Sequence, residues 1–247
     1  MAVRDLDWDG CLNVRDLGGL PTEDGRMTRF GSVIRADSVG FLSRDGWGTL
    51  TADGISRIVD LREGFEQAAD PPRELAVEVV HVPILDRFDE AGWAEIEALS
   101  CTAPTHAEAQ RLVYLRFLDH CRPRFVQAVA AVAEANGAVV VHCHGGKDRT
   151  GLVVALLLRL AGVPVEAIAE DYALSGERLR TRHDEWLATA ENDDERARLE
   201  RITSTPAATM RGVLAALDEQ YGGVERYLTE GGLDADLLET VRARLRE

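Results

Sequence analysis

A buried strand that leads through a short glycine-containing loop into an apolar helix constrains this chain more than any other feature. Residues 139–141 are three valines, which predicts a buried strand. The loop that follows carries Gly145 and Gly146, and residues 152–158 are an uninterrupted apolar run typical of a buried helix. Such a turn directs the backbone N–H groups of the loop and of the first helical turn to one point. We therefore expect an anion-binding site there.

A cysteine and an arginine stand at the two ends of this loop, with five residues between them. At Cys143, the helix N-terminus and the surrounding amides favour the thiolate over the thiol, and the thiolate is the nucleophilic form. Arg149 can hold two oxygens of a bound phosphate with its planar guanidinium. The Thr150 hydroxyl is close enough in sequence to hydrogen-bond the sulfur when it departs. A thiolate beside a trapped phosphorus atom is placed for nucleophilic attack.

The residues from His142 to Gly151 read His-Cys-His-Gly-Gly-Lys-Asp-Arg-Thr-Gly. They resemble the signature loop of the cysteine-dependent protein tyrosine phosphatase superfamily. The Gly-Lys-Asp-Arg-Thr-Gly ending is similar to a bacterial branch of atypical tyrosine and dual-specificity phosphatases, some of which also act on phosphoinositides. Residues 13–19, 35–37, 58–62 and 221–228 resemble the same branch, so the similarity covers nearly the whole chain.

The resemblance implies roles for individual loop residues. The position of His142 orients the loop and supports the thiolate, whereas His144 is at a variable position of the family. Asp16, Arg35 and Arg62 match family positions near the pocket, and the alternative is that they brace the fold through buried ion pairs. The residues expected around the phosphate are His144, Gly145, Gly146, Lys147, Asp148, Arg149 and Thr150. Lys147 is expected to add positive charge at the pocket mouth, or else to face solvent.

Composition and charge restrict the partners of the chain. The formal net charge is −15, which argues against nucleic acid as a partner and against stable association with an anionic membrane. The longest apolar run is too short to cross a bilayer, and the N-terminus carries no apolar signal core. We therefore expect a cytoplasmic protein, with export by another route left open. Four cysteines in 247 residues do not make a disulfide framework, and a thiolate needs reducing surroundings.

The order of predicted elements gives the fold class. Strands are expected within residues 29–37, 54–61, 76–84 and 139–141. Helices are expected after Ser43, after Thr105, from Pro123, from Val165, after Thr205-Pro206 and after Asp234. The helix after Thr105 is expected to carry Leu112, Leu115 and Leu118 on its apolar stripe. Residues 85–90 are expected to form a polar loop, and the charged residues 177–201 exposed or lid-like helices. We predict one α/β domain over residues 1–247, with a largely parallel central sheet, flanking helices and a helical C-terminal cover.

A zinc site, a nucleotide-binding loop and a sulfurtransferase loop each fit these residues less well than a phosphate-binding loop does. Adjacent side chains on an extended segment point to opposite faces, so His142, Cys143 and His144 do not form the tetrahedral cluster that zinc requires. A nucleotide-binding loop would need glycine where Val141 stands and Ser or Thr where Asp148 stands. A sulfurtransferase also uses a loop cysteine, but the Arg-Thr-Gly ending belongs with phosphate capture. A structural cysteine is expected at the three remaining positions, Cys11, Cys101 and Cys121.

The general acid is open between two aspartates. A positioned Asp must protonate the leaving oxygen. Most of the superfamily takes this residue from a separate loop, which here would supply Asp86. In the branch with Lys-Asp in its signature loop, the residue matching Asp148 has this task or that of positioning water, and we favour Asp148.

These observations predict a phosphomonoester hydrolase that needs no metal or cofactor and forms a phosphocysteine intermediate. A phosphorylated protein or small phosphomonoester is the expected substrate and inorganic phosphate the product. Phosphotyrosine is favoured, with phosphoserine, phosphothreonine or phosphoinositides as alternatives on the same loop. The remote alternatives are a sulfurtransferase and a phosphate-binding pseudoenzyme.

Overall fold

A five-stranded sheet forms the centre of the protein, in a computed structural model that describes residues 3–69 and 77–246. In sheet order the strands are β1 (Arg15–Asp16), β2 (Val33–Ala36), β5 (Ala138–His142), β3 (Ile55–Asp60) and β4 (Glu78–His81). Only β1 is antiparallel to its neighbour, and the four others are parallel. The predicted largely parallel sheet is confirmed.

Strand β5 is central because it is apolar on both faces. All five of its residues are buried, and it pairs with β2 on one side and β3 on the other. Val139 and Val141 enter one hydrophobic cluster, whereas Val140 enters a second cluster on the opposite face. A strand covered on both faces needs the continuous apolar run seen in the sequence.

Helices cover both faces of the sheet. On the Val140 face lies α1 (Arg44–Ala52), which contributes Trp47 and Leu50 to the cluster. The remaining α-helices of the described ranges are α2 (Gly64–Ala69), α3 (Glu90–Thr102), α4 (His106–His120), α5 (Arg122–Ala133), α6 (Asp148–Leu160), α7 (Val165–Arg178), α8 (Arg180–Leu187), α9 (Asp193–Thr203), α10 (Ala207–Tyr221), α11 (Val224–Glu230) and α12 (Ala235–Leu245). The predicted helical C-terminal cover corresponds to α7 to α12.

Three of the four predicted helix caps are confirmed by hydrogen bonds. Three predicted cap residues accept from a backbone N–H: Ser43 from Gly46 at 3.1 Å, Thr105 from Glu108 at 3.2 Å and Asp234 from Asp236 at 2.8 Å. The predicted cap at Thr205 is wrong, because its hydroxyl donates to the Ala173 carbonyl instead. Pro206 is the residue before α10.

Two other element predictions need correction. Residues 85–90 were expected to be loop throughout, but Asp89 caps α3 by accepting from the Gly92 N–H at 2.9 Å, and Glu90 is its first residue. On α4 the apolar stripe was placed at Leu112, Leu115 and Leu118. The residues of α4 that are buried are Ala109, Tyr114, Phe117 and Leu118, so only Leu118 was assigned correctly to the buried face.

The predicted strand within residues 76–84 and the predicted helices within residues 177–201 are both found. The strand expected from Ala76 is found at β4, and Ala76 itself lies outside the described residues. The charged residues 177–201 form the C-terminal turn of α7, all of α8 and most of α9, as predicted for helices.

One apolar cluster extends from Leu17 to Leu245 and supports the single domain over residues 1–247, which stays a prediction. Within the described ranges no helix combines the length and the apolar character needed to cross a membrane.

The parallel strands end at one edge of the sheet. Ala36 on β2 and Asp60 on β3 both lie opposite His142, the last residue of β5. The segments that follow these three strands therefore meet at the carboxyl edge, where ligands bind in open parallel sheets. Cys143 is the first residue beyond β5 at this edge.

Candidate active site

The predicted loop is a short connection from β5 to α6, with Cys143 at its start and Arg149 in the first helical turn. Cys143 is 2% exposed. The loop lies between the ends of β2 and β3, so residues from both neighbouring strands surround it. This position follows from the central place of β5 in the sheet.

Three consecutive carbonyl groups of the loop are held by donors from the N-terminal part of the chain. The contacts are Ser38 N–H to His144 O at 2.9 Å, Asn13 Nδ2 to Gly145 O at 3.0 Å and to Gly146 O at 3.1 Å, and Arg35 Nη2 to Gly146 O at 2.7 Å. A trans peptide unit directs its N–H opposite to its C=O. The amides that follow these carbonyls therefore point away from the scaffold, into the concave side of the loop. This is the amide cup predicted for an anion.

The residues that hold the carbonyls are themselves fixed by one buried carboxylate. Asp171 on α7 pairs with Arg15 Nε at 2.9 Å and with Arg35 Nη1 at 2.7 Å, and it also contacts Arg4. Arg15 in turn donates to the Asn13 side-chain oxygen at 2.6 Å. Burial alone would raise the pKa of Asp171, but the arginine charges and hydrogen bonds outweigh it and hold the pKa well below its usual range.

Gly146 is required by the backbone of the cup. Its φ of +64° lies in the left-handed region, and a Cβ built on it would be 2.3 Å from the Ala36 carbonyl oxygen. Gly145 has no such restriction, since its Cβ would meet only Leu179 Cδ1 at 3.8 Å. Of the two loop glycines, only Gly146 is fixed by sterics.

His142 lies behind the loop in a fully buried position. Its Nδ1 is 3.2 Å from the Cys143 carbonyl oxygen, and its Nε2 is 3.6 Å from Asp60 Oδ1. Burial lowers the pKa of His142 despite the nearby Asp60, which favours a neutral ring. Asp60 is held by Arg62, whose Nη2 lies 2.8 Å from Oδ2. These contacts fit the orienting role that the resemblance implied for His142.

His144, the next-but-one residue, faces the other way. Its ring is exposed and packs edge-on against Phe41, with 5.5 Å between ring centroids. No group of three or more His, Cys, Asp or Glu side chains suited to a metal ion occurs among residues 3–69 and 77–246.

Arg149 contacts two glutamates. Glu66 on α2 accepts from both terminal nitrogens of Arg149, at 2.9 Å from Nη2 and closer from Nη1. Glu63 Oε1 is 3.4 Å from Nη1 and also accepts from the Leu85 N–H at 2.9 Å. Although burial lowers it, the pKa of Arg149 is raised by the Glu66 hydrogen bonds and by the charges of Cys143 and Glu66. The guanidinium therefore remains cationic beside the sulfur.

The structure places the two candidate acids in different surroundings. Asp148 lines a cavity together with Arg149, and its Oδ1 accepts from Gln110 Nε2 at 2.8 Å and from the Tyr114 hydroxyl. Asp86 forms a two-point ion pair with Arg124, with Nε 3.0 Å from Oδ1 and a closer contact from Nη2. Asp86 is not among the described residues that line the Asp148 cavity.

The side chain of Lys147 points into the protein, contrary to the expectation of a charge at the pocket mouth or in solvent. It is 4% exposed, and its Nζ donates to the carbonyls of Ile202 and Ser204, the latter at 3.5 Å. It also lies 3.2 Å from Asp148 Oδ1. Partly desolvated carbonyls at the C-terminal end of α9 attract this cation, so Lys147 ties the loop to α9.

Four further predicted residues have clear positions. Thr150 is fully buried, and its hydroxyl makes no hydrogen bond with any residue that the structure describes. Asp16 accepts from the N–H groups of Gly18 and Gly31, at 2.7 Å each, and so braces the N-terminal segment. Arg35 contacts the loop through Gly146, and Arg62 supports Asp60.

The cavity next to the cup has a volume of about 510 Å³. Asp148 and Arg149 lie on one side of it. Much of its wall is apolar or aromatic, contributed by Phe65, Leu85, Trp93, Ile96, Val113 and Phe117. The arrangement combines an anion cup, a buried thiol, an arginine and a carboxylate beside an aromatic wall. Such a set suits transfer of a phosphoryl group from an organic leaving group.

Sequence reasoning missed several residues that shape this site. Gln110, Tyr114 and Asp171 come from α4 and α7, and nothing local in the sequence marks them. Glu63 and Glu66 follow directly after the Asp60-Leu61-Arg62 segment, so proximity to a strand end was the available signal.

The comparisons with known proteins agree with this geometry. A model of the tyrosine phosphatase family matches residues 6–247. A tyrosine-protein phosphatase of Nostoc commune is 32% identical, over 87% of this chain and 74% of its own. The triple specificity protein phosphatase PtpB of Mycobacterium tuberculosis is 28% identical, over 99% of both chains. A crystal structure of TpbA from P. aeruginosa is 19% identical, covers 68% of this chain and 86% of that one, and has a TM-score of 0.34. The predicted resemblance is confirmed, and the chain belongs to the tyrosine phosphatase family.

Proposed function

We propose that this protein hydrolyses phosphotyrosine in protein substrates through a phosphocysteine intermediate. The Cys143 thiolate attacks phosphorus, and a sulfur–phosphorus bond forms as the bond to the tyrosine oxygen breaks. Arg149 and the loop amides hold the oxygens of the transferring group and stabilise its charge. Water then attacks phosphorus, the bond to sulfur breaks, and inorganic phosphate leaves. In this proposal the buried hydroxyl of Thr150 donates to the departing sulfur.

One observation carries this proposal: the carbonyls of His144, Gly145 and Gly146 are all pinned to the scaffold. Because the N–H of a trans peptide unit points opposite to its C=O, the amides that follow these carbonyls face the concave side of the loop between Cys143 and Arg149. A ring of preorganised N–H donors stabilises charge without reorganisation during the reaction.

Asp148 is the general acid in this proposal. Its Oδ1 is fixed by Gln110 and Tyr114, so the side chain has a defined position at the cavity that receives the leaving group. It gives a proton to the tyrosine oxygen in the first step and takes one from water in the second. Asp86 would first have to release Arg124.

The aromatic wall of the cavity supports an aryl leaving group, and thus phosphotyrosine over phosphoserine, phosphothreonine or phosphoinositides. Small aryl phosphates would be accepted in the same way. The net charge of −15 supports the absence of nucleic-acid and stable membrane partners. We also propose that no metal or cofactor takes part and that the protein acts in the cytoplasm, since a thiolate nucleophile is protected from oxidation there.

The substitution Cys143→Ser tests the covalent route. Because serine lacks a thiolate, turnover of p-nitrophenyl phosphate should fall by at least about 10³-fold. Inorganic phosphate should still bind, as measured by calorimetry. Acid-quenched wild-type protein should carry one phosphoryl group on the peptide that contains Cys143, seen by mass spectrometry.

Cys11→Ser is the matched control, since Cys11 lies outside the loop and should be replaceable with retained turnover. Retained turnover in Cys143→Ser, or wild-type protein that binds phosphate but never hydrolyses an aryl phosphate, would contradict the proposal. The second result would indicate a phosphate-binding pseudoenzyme. Sulfur transfer from thiosulfate to cyanide in place of phosphate release would indicate a sulfurtransferase.

A further inference from the structure

Among residues 3–69 and 77–246, the cavity beside the cup contains one cation for which no carboxylate partner is found. Arg201 on α9 lines this cavity, and its only polar contact with a described residue is Cys101 Sγ, 3.8 Å from Nη2. Its Nε–H is buried and donates to no residue within the described ranges. A partly buried guanidinium without a carboxylate is costly in free energy.

The carboxylates of the cavity are each matched to another cation. Glu66 is bound by Arg149 and Glu97 by Arg198, with 3.3 Å between Arg198 Nε and Glu97 Oε1. The two remaining acids are matched as well: Glu63 also faces Arg149, and Asp148 faces Lys147. The unmatched charge of the cavity is therefore positive and belongs to Arg201.

Arg201 is held at a defined place relative to the cup. The next residue, Ile202, accepts a hydrogen bond from the side chain of Lys147, which belongs to the loop itself. Thr203 is buried and bonds back to Leu199 within α9. The end of α9 is thus attached to the loop, and a group bound in the cup meets Arg201 at a reproducible distance.

We infer that Arg201 recognises an acidic residue next to the phosphotyrosine, so that the substrates are acidic phosphotyrosine peptides. The inference rests on the proposed function, because it assigns the second charged group of the same substrate. A cavity of about 510 Å³ falls in the range of about 300–1000 Å³ typical of sites for drug-sized ligands, so it has room beyond a phenol ring. Its aromatic wall suits that ring and leaves the side chain beside it facing α9.

Arg198 is a second, weaker contributor. Its ion pair with Glu97 is about half exposed on both sides, and such pairs contribute little free energy. An acidic peptide can therefore compete with Glu97 for Arg198 at small cost. This makes Glu97 a residue whose removal should strengthen recognition.

The experiment compares two phosphotyrosine peptides that differ only in Glu or Gln beside the phosphotyrosine. Wild-type protein should favour the Glu peptide about 5- to 10-fold in kcat/KM, mainly through KM, because a charge-assisted hydrogen bond forms. The preference should decrease as the salt concentration rises. Arg201→Gln should remove the preference, Arg201→Lys should keep part of it, and Glu97→Gln should increase it.

Arg196→Gln is the control, since Arg196 is on the same helix, pairs with Glu200 and does not line the cavity. It should keep the full preference. Arg196→Gln should also hydrolyse p-nitrophenyl phosphate at the wild-type rate. For the Arg201 variants the readout is the ratio of kcat/KM between the Glu and Gln peptides, which separates recognition from catalysis and from folding.

Equal use of the two peptides by wild-type protein, or a preference that survives Arg201→Gln, would overturn the inference. So would a larger effect of Arg201→Gln on a short-chain soluble phosphoinositide than on the Glu peptide. If wild-type protein hydrolysed none of these compounds, p-nitrophenyl phosphate included, the proposed function itself would fail. Hydrolysis of p-nitrophenyl phosphate without a peptide preference would overturn only the role of Arg201.

Discussion

Asp171 shows how much of the site depends on one residue far from the loop in sequence. Asp171 neutralises Arg15 and Arg35. Arg15 donates a hydrogen bond to the Asn13 side chain, and Arg35 donates one to the Gly146 carbonyl. The lowered pKa of Asp171 means that its contribution to stability is complete above the unfolded value of about 3.9. That contribution is lost only when the pH falls through the still lower native value.

Asp171→Asn should therefore be strongly destabilising at neutral pH. The change leaves buried arginines without their counter-charge, and we expect a loss of about 3–5 kcal/mol in the free energy of unfolding by urea. Asp5→Asn is the control, because Asp5 is 75% exposed in its ion pair with Arg178 and should cost about 1 kcal/mol or less. Similar losses in the two variants would contradict the role given to Asp171.

The choice between Asp148 and Asp86 is tested with aryl phosphates of graded leaving-group basicity. Asp148→Ala should reduce turnover about 10²- to 10⁴-fold for the most basic leaving groups and far less for p-nitrophenol, which needs no proton. Asp86→Ala should give a small and uniform change across the series. The reverse pattern would assign the acid to Asp86.

Individual residues of the loop were predictable because their spacing is local. Cys143, Arg149 and Thr150 follow from a short strand–loop–helix pattern, and the structure has Cys143 directly after β5 and the other two in the first turn of α6. The partners of Lys147 were not predictable. The same local sequence allows its long side chain to face either solvent or the end of another helix. Its contact with Ile202 depends on how α9 packs, which is a long-range property.

At the scale of elements, the β5–α6 connection is shaped by the N-terminal segment as much as by its own residues. Asn13, Arg35 and Ser38 determine which way its peptide units face. Of the two loop glycines, Gly146 leaves no space for a Cβ atom, whereas Gly145 has space for one.

Gly146→Ala should damage both folding and catalysis. The new Cβ would need φ of +64° and a 2.3 Å approach to the Ala36 carbonyl oxygen, so we expect about 1–3 kcal/mol of strain. A displaced loop should lower kcat/KM for p-nitrophenyl phosphate by about 10²-fold. Gly145→Ala should leave the free energy of unfolding within about 0.5 kcal/mol of wild type. Equal destabilisation by the two substitutions would contradict the steric argument.

Two elements were predicted poorly for physical reasons. Helix α3 has little amphipathic character, because Ile96 is its buried core residue, whereas the large side chain of Trp93 is exposed and lines the cavity. The buried face of helix α4 is not the face that the positions of its leucines indicated. Tyr114 is buried there because its hydroxyl reaches Asp148 and Tyr172, a requirement of the site that hydrophobic periodicity does not express.

For the whole molecule, the fold class was predictable because strands and helices alternate with clear apolar patterns and capping residues. The short antiparallel β1 was not predicted, since two residues carry no periodicity. Its position at the sheet edge brings the Asn13 segment to the loop.

The stability of the whole protein should fall as the pH is lowered from 7.5 to 5.5. Burial lowers the pKa of three histidines, His142, His144 and His183, the last to about 4. Below the unfolded value of about 6.5 the unfolded chain binds more protons than the native one, so protonation favours unfolding. His183→Gln should remove about 1 kcal/mol of this fall, measured from urea unfolding at both pH values.

His106→Gln at the exposed start of α4 is the control and should show the wild-type dependence on pH. Glu63 and Asp16, whose pKa values are raised by burial, act in the opposite direction and are common to all three proteins. A His183 variant with the wild-type pH dependence would contradict the assignment.

The hydrogen bonds from Asn13 to the loop join parts of the chain that are 132 and 133 residues apart. Release of the first forty residues would therefore let the peptide units of the loop rotate, even while β5, α5 and α6 stayed packed. Heating should therefore abolish turnover before the helices melt, because the segment around Asn13 can undock locally at a lower free-energy cost than global unfolding.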